Sequence, residues 1–146
     1  MMIMEKALWQ VIAEIPTLNI GTGTEEDPVR VYYSVADDNS EAPYIIIQRV
    51  DSDRWRHVNG PSGTVQATMQ IDFYSEEKWE TKRLAQLVEG VLDGYAGSVP
   101  ITGTSPMYVC KFAGISCQND VDLYDKTANP YLYRVSADYL VTYEQT

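Results

Sequence analysis

The chain has 146 residues, 45% of them hydrophobic, which fits a single domain over 1–146 with one core and argues against a disordered tail. It carries 11 basic against 21 acidic residues, a formal net charge of −10. Tight nucleic-acid binding needs a basic face, because phosphate contacts supply most of the affinity, so that class is set aside. Eleven tyrosines are an unusual number; each combines an apolar ring with a polar tip, which suits half-buried strands and protein interfaces. Residues 1–10 lack a basic n-region and a cleavage site, so no signal peptide is expected. No run approaches the ~18 apolar residues of a membrane span, and the expectation is a soluble chain, cytosolic when made, with no membrane contact.

Residues 3–15 put Met4, Ala7, Leu8, Val11, Ile12 and Ile15 on one stripe at helical spacing, and Pro16 stops the pattern. Residues 16–28 read as a loop. Residues 29–35 are a short strand candidate, and 36–43 a polar connector. A long strand begins at 44–50, where the apolar run Tyr44-Ile45-Ile46-Ile47 suggests burial on both faces. Residues 64–75 alternate: Val65, Ala67, Met69, Ile71 and Phe73 face one way, Gln66, Thr68, Gln70 and Asp72 the other. Between these strands, residues 53–63 read as a loop tip longer than a tight hairpin needs, with Gly60-Pro61-Ser62-Gly63 as turn residues.

Residues 76–93 read as the best helix, with Ser75 as N-cap and Glu76 and Glu77 in the first turn, where the dipole favours acids. Leu84, Leu87, Val88, Val91, Leu92 and Tyr95 form its expected buried stripe, and Gly94 or Gly97 closes it. Residues 96–106 read as a loop, 107–118 as a strand bent at Gly114, and 119–130 as an acidic loop. Residues 131–143 form a last strand, with Tyr133, Val135, Ala137, Tyr139, Val141 and Tyr143 on one face. The order α-β-β-β-α-β-β implies an α+β domain: a mainly antiparallel sheet with two amphipathic helices packed on one face.

Candidate chemistry is sparse. His57 is the sole histidine and lies in no recognisable catalytic motif. Together Arg54, Trp55, Arg56 and His57 form the one dense basic-aromatic cluster, which reads either as a contact arm or as a solvated loop with Trp55 folded back. Asp120, Asp122 and Asp125 fail the EF-hand pattern, since its Gly and Glu positions hold Asp125 and Tyr131. Cys110 and Cys117 are spaced for opposite faces of a regular strand, so two reduced thiols are expected rather than a disulfide. Gly60-Pro61-Ser62-Gly63 lacks the Lys and Ser/Thr of a phosphate loop, and neither a metal nor a cofactor is expected.

Several segments together resemble a known family. They are Pro43-Tyr44-Ile45-Ile46-Ile47-Gln48-Arg49-Val50, Gly60-Pro61-Ser62-Gly63, Ala67-Thr68-Met69-Gln70-Ile71-Asp72-Phe73-Tyr74, the helix ending Leu92-Asp93-Gly94-Tyr95, and Asp122-Leu123-Tyr124-Asp125 before the last strand. In order and spacing they are similar to the tail-completion, or tail-terminator, proteins of long-tailed bacteriophages and prophages. The resemblance implies a structural virion protein and not an enzyme. It implies a small α+β subunit that forms a ring, usually hexameric, at the head-proximal end of the tail tube, ending tube growth and joining the tail to the head connector. The implied partners are other copies of itself, the tail tube protein and the head-completion or connector protein. DNA would pass through an acidic lumen without specific binding. The implied location is the head–tail interface of the virion, after assembly in the host cytoplasm. In such a ring the arm Arg54, Trp55, Arg56 and His57 is expected to touch a neighbour or the tube.

Two rival readings stand beside it. One is another neck, baseplate or secretion-tube adaptor subunit, distinguished by where it binds. The other is a small enzyme using Asp51, Asp53 and Asp72, which would need a pocket on the polar sheet face.

Overall fold

A computed structural model of the chain describes residues 3–21, 29–33, 42–57, 60–101, 108–125 and 132–144; for 3, 51–57, 60–63 and 123–125 it describes the backbone alone. The elements are α1 (Ile3–Ala13), β1 (Val31–Tyr33), β2 (Tyr44–His57), β3 (Gly60–Ser75), α2 (Lys78–Leu92), β4 (Gly97–Pro100), β5 (Val109–Asp125) and β6 (Leu132–Glu144). They form one sheet in the order β1-β2-β3-β6-β5-β4. β1 runs parallel to β2, and the other four pairs are antiparallel. The α+β order read from the sequence therefore holds, with one short strand, β4, added inside the expected loop 96–106.

The alternation of β3 decides the layering. Val65, Ala67, Met69, Ile71 and Phe73 are all buried, and their partners across β6 (Tyr143, Val141, Tyr139, Ala137 and Val135) are buried too. Ile45 and Ile47 of β2 continue that layer. Both helices pack onto it: Met4, Ala7, Leu8 and Ile12 from α1 and Leu84, Val88 and Leu92 from α2 belong to the same core. No helix among the described residues is long and apolar enough to cross a membrane.

Several local expectations shift. α2 starts at Lys78, and Ser75 precedes its cap: the Ser75 hydroxyl accepts from Glu77 N at 3.1 Å and donates to Glu80 Oε1 at 2.9 Å. Its buried stripe is narrower than expected, because Leu87 is half-buried and Val91 is exposed. Gly94 closes the helix at φ +85°, in the left-handed region that glycine enters without a Cβ penalty.

Bulges explain the larger departures. The expected loop at 53–63 is instead strand on both sides: Arg54 pairs with Val65, Arg56 with Pro61 and His57 with Gly60. Register shifts at Arg49/Asp51 and Arg54/Arg56 break the alternation there, which hides the strand from pattern reading. The tip, 58–59, lies outside the described residues. In β5 the predicted bend at Gly114 appears as a register shift between Phe112 and Gly114. That extra residue inverts the alternation, so Cys110 and Cys117 share the helix-covered face rather than opposite faces, and both thiols are free. β5 also runs on through the expected acidic loop to Asp125, paired with β6 throughout.

Phe73 is fully buried at the centre of this core, whereas Val50 is 55% exposed. Phe73→Ala is expected to cost about 3–5 kcal/mol and Val50→Ala less than about 0.5 kcal/mol. Urea unfolding checks this: the Phe73 variant should show a lower midpoint at unchanged slope, and equal midpoints for the two variants would contradict the layering.

Candidate assembly surface

The sheet face opposite the helices is left uncovered by any helix among the described residues. Open-face positions of β2, β3 and β6 meet in register: Tyr44 with Tyr74, and Tyr74 with Arg134. The side chains form a ladder. Tyr32 meets Tyr44 edge-on at 6.2 Å between centroids, Tyr44 stacks on Tyr74 at 4.9 Å, and the Arg134 guanidinium lies 5.7 Å from the Tyr74 ring centre. Such stacked and cation–π contacts make a rigid polar-aromatic surface.

Beneath the ladder lies Asp72, only 5% exposed. Arg134 Nη2 donates to Asp72 Oδ2 at 3.1 Å, and Gln70 Nε2 lies 3.2 Å from both carboxylate oxygens and from Ser136 Oγ. Burying a carboxylate is costly unless it is paired and hydrogen-bonded, and these partners supply that compensation. Of the carboxylates considered for chemistry, Asp72 is therefore committed to a structural network. For Asp51 and Asp53 only the backbone position in β2 is described.

The arm residues Arg54, Trp55, Arg56 and His57 close the end of β2, in the hairpin with β3. Among the described residues β6 accompanies β3 no further than the Thr64–Glu144 pair, so there the last pairs, Arg56–Pro61 and His57–Gly60, form a two-stranded ribbon beyond it. Their side chains lie outside the described residues. The arm and the tyrosine ladder lie at opposite ends of β2, so the structure does not gather them into one pocket.

Other candidates resolve into ordinary structure. Asp122 pairs with Lys82 at 2.6 Å, an exposed contact of little energetic weight. No group of three or more His, Cys, Asp or Glu side chains able to hold a metal occurs among the described residues. Sequence reasoning missed the ladder. Tyr44, Tyr74 and Arg134 sit on polar-face positions, but only the β2–β3 and β3–β6 registers show that they are neighbours. It also missed Trp79, 62% exposed on the first turn of α2.

Burial pushes the Cys110 thiol up from its ordinary 9.0 to about 11. The folded chain thus prefers the neutral thiol, a contribution fully present below pH 9.0 and lost as pH rises through about 11. Burial raises the Tyr33 and Tyr139 phenols in the same direction. Stability is therefore expected to fall across that window, by about 2–3 kcal/mol from Cys110 alone. Urea unfolding at stepped pH checks it, with Cys110→Ala flattening the slope; a slope identical in the two proteins would contradict it.

The family model described as tail completion protein gp17 matches residues 6–144. Among solved structures, a chain of one described as "Virion of native gene transfer agent (GTA) particle" is similar with a TM-score of 0.68 and 14% identity, over 94% of this chain and 91% of that chain. At that identity the likeness shows the fold. No curated protein matches the chain. Matched over nearly its whole length, the chain belongs to the tail completion protein gp17 family, structural proteins of bacteriophage tails.

Proposed function

We propose that copies of this chain close into a hexameric ring at the head-proximal end of the tail tube, where the ring ends tube growth and joins the tail to the head connector. The observation that carries this reading is the tail completion family match over residues 6–144. The likeness of the fold to a chain in a gene transfer agent virion supports a place in the virion; in this reading that place is the head–tail interface, reached after assembly in the host cytoplasm. The surface supports a role in contacts: a wet, tyrosine-rich sheet face and a hairpin arm with Arg54, Trp55, Arg56 and His57 suit protein partners. Those partners are further copies of the chain, the tail tube protein and the head-completion protein.

The chain performs no reaction of its own in this reading and needs no cofactor. Asp72 is occupied by Arg134 and Gln70, and burial keeps Cys110 in its less reactive thiol form. The net charge of −10 favours a lumen that repels DNA and lets it slide without specific contacts.

Tube growth tests the proposal. Tail tube protein is polymerised alone and with increasing amounts of this chain, and tube length is measured by electron microscopy. Length should fall as the chain approaches one ring per tube end. The Trp55→Ala, Arg56→Ala variant should need at least about tenfold more protein for the same effect. Tubes indifferent to the wild-type chain would remove the terminator role, and a variant as potent as wild type would remove the arm from it.

A further inference from the structure

Among the described residues each flank of the sheet ends in a short strand that covers only part of its long neighbour. β1 pairs with Ile45, Ile46 and Ile47 of β2. Among the described residues, no strand pairs with that edge of β2 from Gln48 to His57. On the other flank, β4 pairs with β5 from Val109 to Phe112. The next stretch of β5 is held by the turn after α2: Gly94 N donates to Ile115 O at 2.7 Å, Ile115 N to Tyr95 O at 3.1 Å, and Cys117 N to Asp93 Oδ1 at 3.0 Å. From Asn119 to Asp125, no strand among the described residues covers the edge.

The registers place these two open segments on a diagonal. Gln48 is level with Gln70 and Asp138, and the open part of β2 runs from there towards the Thr64–Glu144 end. Asn119 is level with the same Asp138, and the open part of β5 runs the other way, to the Asp125–Leu132 pair. β1 and β4 occupy the opposite diagonal.

The two segments are complementary in three respects. Among the described residues each presents backbone that no strand pairs, a ready template for another strand. Each carries an exposed apolar residue, Val50 at 55% and Val121 at 45%. Their charges also oppose. The β2 segment holds Arg54, Arg56 and His57 at its far end, with Asp51 and Asp53 before them, while Arg49 is already paired with Glu5 of α1 at 3.1 Å. The β5 segment holds Asp120, Asp122 and Asp125, and Asp120 and Asp122 border a small cleft of about 70 Å³ shared with Glu89 and Lys82 of α2. In a chain of net charge −10, contact between two copies needs such a local match to offset the general repulsion.

We infer that the open segment of β2 in one copy takes up the open segment of β5 in the next, so that the sheet continues from subunit to subunit. The inference rests on the ring reading above. Within one copy β2 is antiparallel to β3, β3 to β6 and β6 to β5, so an added β5 in a continued sheet runs antiparallel to β2. The diagonal placement requires a stagger along the strands. That stagger carries β1 past the end of the neighbour's β5 and carries the neighbour's β4 past the arm. It brings the basic end of β2 towards the acidic β5–α2 flank. The contact joins two different surfaces head to tail, the kind that closes rings, and a staggered sheet is what closure into a barrel needs.

Cross-linking tests it on the assembled protein. Val50→Cys and Val121→Cys are combined in one chain and treated with a bis-maleimide; the native Cys110 and Cys117 are held on the core face with raised thiol pKa values. The double variant should give a ladder of covalent multimers ending at the closed ring, and neither single variant should. Rings seen by microscopy without a ladder overturn the β2–β5 seam and leave the ring standing. No ring, free or on tubes, removes the ring reading and the seam with it. As a second arm, Asp120→Lys with Asp122→Lys should raise the concentration for half-assembly about tenfold, and Arg54→Glu with Arg56→Glu in the same chain should restore it. An unshifted midpoint, or no rescue, counts against the seam.

Discussion

The structure depends on the two-sided character of β3. Its inward residues, Val65 to Phe73, are almost completely buried, and its neighbours β2 and β6 align their own apolar positions to them. A slip of one residue in either pairing would turn those side chains to solvent and bring Gln66, Thr68 and Gln70 into the core. Helix placement follows from the same fact: α1 and α2 each have one apolar stripe, and both cover the face that β3 makes apolar. The opposite face is then left to polar and aromatic residues. It is this division that frees a broad sheet surface for other proteins.

The open face is ordered by its own contacts. Arg134 serves twice, paired with buried Asp72 and set over Tyr74. Tyr74 in turn stacks on Tyr44, which meets Tyr32 at the flank. Four strands are tied together by side chains on a face that no helix among the described residues braces. Rigid aromatic surfaces lose little side-chain freedom on binding, so such a face is suited to a permanent assembly contact. Arg83 does comparable work at the edge of the core, donating to the carbonyls of Thr17 and Leu18 and so fixing the segment after α1 to α2.

Much of this fold was legible in the residues, and the failures have physical causes. The period-two pattern of β3 and β6 and the stripe Leu84, Val88, Leu92 report burial directly, because each is regular and long. The arm looks like a loop in sequence because two bulges break its alternation and because Gly60, Pro61 and Gly63 are turn-forming types; backbone pairing to His57 and Arg56 overrides that preference. The acids of residues 119–125 suggest a loop, yet pairing with β6 and the Lys82–Asp122 contact hold them as strand. β4 is too short for any periodic signal. The arm shows as a composition cluster, whereas the Tyr44–Tyr74–Arg134 ladder depends on strand pairings that bridge 30 and 60 residues of chain, which no local pattern reports.

The central claim is that this chain caps the tail tube as a closed ring. Electron microscopy of purified protein mixed with preformed tail tubes, with class averages taken at the tube ends, addresses it most directly. The account predicts one closed ring seated on one end of each tube, with an open lumen on the tube axis. Bare ends, or density bound along the tube wall instead, would contradict it.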